Sequence, residues 1–144
     1  SRGGNGDMIE FSVSVSGNYI DTLRGDGFIV STATGSTGYA LAAGGPIVTP
    51  EFTGMSCVPI APHTIMARAF LTSSSDVVEI TMSRERPAYC HFFADGQNVV
   101  HPDGAVAICA TVKRGPGDII LLDRSAQSFY RSVSRVFYGK ANNS

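Results

Sequence analysis

Residues 9–24 read IEFSVSVSGNYIDTLR, and their pattern decides the fold class. Ile9, Phe11, Val13 and Val15 are apolar, and Glu10, Ser12 and Ser14 between them are polar. Strict alternation of this kind describes a strand with one face buried and one face wet. Ser16-Gly17-Asn18 is a turn signal, so Tyr19–Arg24 is predicted to return as the second arm of a hairpin. The same period recurs downstream. Val78, Ile80 and Met82 alternate with Glu79 and Thr81, and Val106, Ile108, Ala110 and Val112 form another alternating run. Ala94-Asp95-Gly96-Gln97 is a tight-turn signal between Tyr89–Phe93 and Asn98–Val100, and Ile119–Leu122 is a short apolar run. Turn signals recur throughout and long helical periodicity is nearly absent. This predicts a mainly β domain, an antiparallel two-sheet β-sandwich.

Two helices are predicted. One is short, Tyr39–Ala43, stopped by Gly44-Gly45-Pro46. The other spans 125–138, with Ser125 as its cap and Ala126, Phe129, Tyr130, Val133, Val136 and Phe137 on one stripe. A single amphipathic helix on a β domain needs a surface to cover: its own sandwich, another domain or another subunit.

The bulk numbers narrow the function. Lys and Arg total 11 against 12 Asp and Glu, so no basic field points to nucleic acid or anionic lipid. No apolar run approaches the roughly 20 residues that span a membrane, and the opening SRGGNGD has no leader-like apolar core. Cys57, Cys90 and Cys109 are odd in number and contain no CxxC, so the expectation is three reduced, buried thiols in a cytoplasmic protein and no metal site. Cys90-His91 resembles a metal pair, but neighbours on a strand point to opposite faces.

The chemistry concentrates in residues 25–48, GDGFIVSTATGSTGYALAAGGPIV. An apolar strand end, Phe28-Ile29-Val30, runs into a loop holding Ser31, Thr32, Thr34, Ser36 and Thr37, and then into a helix start. The first N–H groups of a helix have no internal partner, so such a loop suits a phosphate or a sugar. The same residues also fit an ordinary Ser/Thr-rich turn. The block is neither a P-loop nor a Rossmann fingerprint. Asp26, between Gly25 and Gly27, either caps its own backbone or faces a ligand hydroxyl or amine. Pro59 and Pro62 hold residues 58–64 extended, as a sheet-edge connector or as a main-chain ligand surface, and His63 is expected in a structural hydrogen bond. Gln97 sits in a hairpin turn from which it could reach a ligand. GxSxG, HExxH, zinc spacing and a DxD pair are all absent from the sequence. The residues therefore describe a binding half-site.

The block closely resembles the NAD kinase hallmark DG…STPTGSTAY…SAGGPI. VPIAPHTIMARAF is similar to that family's P-I-x-P-H-[ST]-L-S-x-R-P segment, ADGQ to its D-G-Q turn, and SFYRSVSRVFYGK to its closing helix. The resemblance implies that residues 1–144 are the C-terminal β-sandwich NAD-binding domain, that an N-terminal α/β domain with a GGDG motif lies elsewhere, and that helix 125–138 packs on that domain. It implies transfer of the ATP γ-phosphoryl to the adenosine-ribose 2′-hydroxyl of NAD, with a divalent metal (magnesium) accompanying ATP. It places the general base in the GGDG motif, so no catalytic residue is expected in this chain. The NAD-binding positions carried over are Arg24, Asp26, Thr34, Thr37, Gly38, Tyr39, Ala42, Ala61 and Gln97. A homo-oligomer, dimer or tetramer, is implied, with Asp26 reaching a neighbouring subunit's site. Ala33, Gly38, Ala42 and Ala69 depart from the family pattern, and Ala33 and Gly38 are expected to loosen the loop. A non-catalytic NAD(P)-binding module, or a related lipid or sphingoid kinase, shares parts of this pattern.

Overall fold

The computed structural model describes residues 8–84, 90–100, 103–120 and 128–139. The chain divides into two compact units, Ser1–Arg114 and Gly115–Ser144. Among the described residues, the first unit holds nine strands: β1 (Ile9–Val15), β2 (Asn18–Gly25), β3 (Gly27–Ser31), β4 (Ser56–Ile60), β5 (Phe70–Leu71), β6 (Val77–Met82), β7 (Phe92–Ala94), β8 (Gln97–Val99) and β9 (Cys109–Lys113). It also holds a one-turn 3-10 segment, Gly35–Thr37, and the short helix α1 (Tyr39–Ala42). The second unit contains α2 (Phe129–Tyr138).

Among the described residues all strand pairing is antiparallel, in sheets ordered β2-β1-β6-β9, β3-β4-β5 and β7-β8. The alternation in residues 9–15 becomes burial: Ile9, Phe11 and Val13 are inside and Glu10 is outside. In β6, Val78, Ile80 and Met82 are the buried set. These residues, with Leu23, Met55, Cys57 and Cys90, make the core. Phe28, Val30 and Phe70 pack onto it from the three-stranded sheet, and Phe11 meets Phe28 edge to face at 5.8 Å between ring centres. Two sheets thus face one another across one core, as the alternation predicts.

Both predicted hairpin turns form with positive φ at their two central residues, 49° and 79° at Ser16 and Gly17, and 48° and 81° at Asp95 and Gly96. That conformation matches the twist of the flanking strands. The run 106–112 is only partly a strand, since β9 begins at Cys109; before it, Met82 N–H still donates to Ile108 C=O at 2.8 Å. Ile119 and Ile120 are in no regular element, and residues 121–122 lie outside the described residues, as does Tyr89.

Residues 56–60 form a strand rather than a connector, and β4 is the middle strand of its sheet. A proline is tolerated there because β5 pairs only with Ser56 and Cys57, so Pro59 lies beyond the end of β5. The cysteines also depart from expectation: Cys57 and Cys90 are buried, but Cys109 is exposed on β9. There, the Thr81 hydroxyl lies 3.5 Å from the Cys109 sulfur. In α2 the cap is Ser128, whose hydroxyl accepts from Arg131 N–H at 3.3 Å, and the helix ends at Gly139 with φ 61°. Ser125 lies outside the described residues.

Candidate functional site

The β3–β4 ladder is the platform of the site. Gly27 faces Ile60, Ile29 faces Val58 and Ser31 faces Ser56. One face of this ladder presents Phe28, Val30 and Cys57 to the core. The opposite face receives the segment that follows β3. After Ser31 the chain turns, with Ser36 N–H donating to the Thr32 and Ala33 carbonyls at 2.9 and 3.2 Å and Gly35 N–H donating to the Thr32 hydroxyl at 3.3 Å. Helix α1 follows, and Gly45 N–H closes on Ala40 C=O at 2.9 Å. A Cβ built at Gly45 would lie 2.7 Å from that carbonyl and 2.8 Å from Val58 Cγ2. Gly45 is therefore pressed against the middle of β4, and α1 folds back over β3 and β4.

Within this segment the residues sort by direction. Ala33, Ser36 and Ala40 are buried, and the Ser36 hydroxyl donates to Ala33 C=O at 2.6 Å. Thr34, Thr37, Gly38, Tyr39 and Ala42 are exposed. Tyr39 is 66% exposed, and Thr37 Oγ1 donates to Thr34 C=O at 3.2 Å. The three inward residues fall at roughly helical spacing, which leaves the hydroxyls, the ring and several backbone groups on the outer surface.

A second cluster forms at the other end of the same two strands. Asp26 N–H donates to Ile60 C=O at 3.0 Å, and His63 N–H donates to Arg24 C=O at 2.8 Å. Residues 61–63 thus wrap around Gly25, where a Cβ would meet Ile60 O at 2.8 Å and Ala61 O at 3.0 Å. The extended backbone expected through 58–64 ends at Ala61, which takes φ 43°. The Pro59–Pro62 spacing does not foretell this turn, because the residue that makes it is an alanine. The side chain of Arg24 lies along the sheet surface, its Nε 3.9 Å from Glu10 Oε2. Both groups are exposed and the pair contributes little stability.

The structure therefore groups Thr34, Thr37, Gly38, Tyr39 and Ala42 at one end of the platform, and Arg24, Asp26 and Ala61 at the other. Gln97 opens β8, on the separate two-stranded sheet. A cavity of about 140 Å³ lies beside that hairpin, lined by Cys90, Phe92, Val99 and neighbours; none of the nine candidate positions lines it. Sequence reasoning missed the roles of Gly25 and Gly45. Both read only as turn or stop residues, yet each marks a place where two backbones touch.

Burial pushes the Cys57 thiol from 9.0 up to about 12, and burial also raises Cys90. Neither behaves as a nucleophile at neutral pH. Among the described residues, no three His, Cys, Asp or Glu side chains gather to hold a metal ion.

The comparisons with known proteins agree with this architecture. Residues 1–116 match the family model described as the ATP-NAD kinase C-terminal domain. The NAD kinase of Nitrosospira multiformis is 40% identical over 133 residues, covering 92% of this chain and 44% of that protein. The NAD kinase of Methanoregula boonei is 40% identical over 128 residues, covering 89% and 46%. The crystal structure of an NAD kinase from Archaeoglobus fulgidus in complex with ATP matches with a TM-score of 0.66 at 34% identity, over 78% of this chain and 42% of that one. Yeast NADH kinase complexed with NADH shares the fold, with a TM-score of 0.76 at 20% identity, over 99% of this chain and 44% of that one. The chain spans slightly under half the length of the relatives it matches, and over that span it belongs to the ATP-NAD kinase C-terminal domain family.

Proposed function

We propose that this chain is the NAD-binding half of an NAD kinase, which phosphorylates the adenosine-ribose 2′-hydroxyl of NAD with ATP to make NADP. The observation that carries the reading is the two-ended platform. Gly27–Ser31 is five residues long, so its ends are about 13 Å apart. A hydroxyl-rich loop with an exposed ring stands at one end and a carboxylate with turned backbone at the other. An elongated ligand with a flat base, two riboses and a pyrophosphate suits that spacing.

In this reading Tyr39 stacks on a ring of NAD, Thr34 and Thr37 meet its hydroxyl or phosphate oxygens, and Gly38, Ala42 and Ala61 contribute mainly backbone. Asp26, with Arg24 beside it, accepts from a ribose hydroxyl or an amide of NAD, and Gln97 reaches the ligand from its hairpin. The reaction forms the bond from the 2′-oxygen to the γ-phosphorus and breaks the β–γ phosphoanhydride, and the hydroxyl proton passes to a carboxylate. That carboxylate and the triphosphate cradle belong to the preceding domain. The contribution of this chain is positioning, which can supply a large part of a phosphoryl-transfer barrier reduction. A dimer or tetramer, docking of α2 on the preceding domain and a cytoplasmic location belong to the same reading. Among the described residues, no helix is long and apolar enough to cross a membrane.

Titration calorimetry and a coupled NADP assay test it. NAD should bind the 144-residue chain weakly without turnover, and the longer protein that includes the preceding domain should turn over. Absence of NAD binding, or binding of a sphingoid base in its place, overturns the reading. NAD binding without turnover by the longer protein leaves only a non-catalytic binding module.

A further inference from the structure

Two side chains beneath the hydroxyl loop lie outside the proposed NAD contacts. Ser31 closes β3 and Ser56 opens β4, and they are direct partners in the antiparallel register. Their side chains therefore stand side by side on one face. It is the face away from the core, shared with Ile29 and Val58, one pair further along. The loop covers it, since a Cβ built on Gly35 would lie 3.3 Å from Ser31 Cβ. Ser56 is 0% exposed, and both hydroxyl oxygens are sealed from solvent with no hydrogen-bond partner among the described residues.

The neighbouring buried hydroxyls differ. Ser36 Oγ donates to Ala33 C=O, and Thr72 Oγ1 accepts from Met55 N–H at 3.1 Å. A sealed hydroxyl without a partner is unfavourable, and alanine would fill the same backbone position without that penalty. Two such hydroxyls on adjacent strands offer one small guest two polar contacts, the minimum that holds a buried water.

We propose that Ser31 and Ser56 share one buried water beneath the Gly35–Thr37 turn and thereby act as positioning residues for Thr34–Tyr39. Bonded to both hydroxyls, the water ties the end of β3 to the start of β4 beneath the loop and so fixes where the loop rests. The effect on ligand affinity rests on the dinucleotide reading; the bridge itself does not.

The test is a double-mutant cycle of Ser31→Ala and Ser56→Ala in the 144-residue chain. Tm is taken from thermal unfolding, and hydrogen exchange at residues 35–42 and NAD titration are read at a temperature where every variant is folded. A shared water is lost whichever serine is removed. Each single variant should lower Tm by about 2–4 °C, and the double variant should fall little further. Exchange at 35–42 should quicken several-fold, and the Kd for NAD should rise 3- to 10-fold, on the order of what one lost hydrogen bond produces. Ser56→Cys, which keeps the shape with a slightly larger atom but bonds poorly, should lose the coupling as the alanine variant does. Additive shifts of either sign, or no shift, overturn the bridge. A high-resolution crystal structure gives a reading that no variant can spoil: density bonded to both Oγ atoms supports it, and a direct Oγ–Oγ bond overturns it. If the wild-type chain binds no NAD while the cycle stays coupled, the dinucleotide reading falls and the bridge stands.

Discussion

Tyr39 carries the largest exposed surface of the loop proposed to hold the ligand, and little of the fold depends on it. Its ring is outside the core, while Ala40 beside it is buried. Tyr39→Ala should therefore raise the Kd for NAD at least tenfold, about 1.4 kcal/mol, and leave Tm nearly unchanged; calorimetry and thermal unfolding on one preparation check both. The thiols give a second contrast. Cys109 is exposed and Cys57 is buried, so alkylation followed by mass spectrometry should label Cys109 first and Cys57 only after unfolding. Cys57 also gives a pH signature. Its folded pKa is raised from 9.0 to about 12, so above pH 9 the unfolded chain releases a proton that the folded chain keeps. Stability should then fall by up to about 1.4 kcal/mol per pH unit between 9 and 12, and Cys57→Ala should remove that part of the slope in denaturant unfolding at pH 8 and pH 10. At this scale the sequence carries residue types and misses environments. An apolar pattern around Cys109 predicts burial, yet β9 begins at that cysteine and places it on the outer side.

At the scale of elements, the loop–α1 segment is held by contacts rather than by propensity. A helix of four residues has no stability of its own. It persists because Gly45 closes on Ala40 C=O and seats against Val58. Gly45→Ala introduces a Cβ into that contact and should destabilise the chain by about 1–3 kcal/mol, with a loss of NAD affinity at least as large as that of Tyr39→Ala. Chemical denaturation and calorimetry would show it, and an unchanged affinity would separate α1 from the binding site. The alternating strands and the Ser16-Gly17 and Asp95-Gly96 turns were legible because each depends on neighbours in the chain. The left-handed turn at Ala61 was not, because it follows from residues 61–63 wrapping around Gly25, a contact between segments more than 30 positions apart.

At the scale of the whole molecule, the chain holds a binding platform and, among its described residues, no metal-ligand cluster. Purified alone, it should show no NADP formation above background with ATP and NAD, while a longer protein that includes the preceding domain should turn over; measurable turnover by the 144-residue chain would place the base within it. By itself the sequence determined the class of fold and the family, because alternation with period two and the GDG…TGSTGY…AGGPI block are local patterns readable in order along one strand of text. Only the tertiary structure decided that the hydroxyl loop returns over β3 and β4, that Asp26 N–H meets Ile60 C=O at the far end, and that Ser31 pairs with Ser56. Each of these is set by strand register, and register is chosen by which apolar face the whole core can bury, not by any residue's neighbours in the chain.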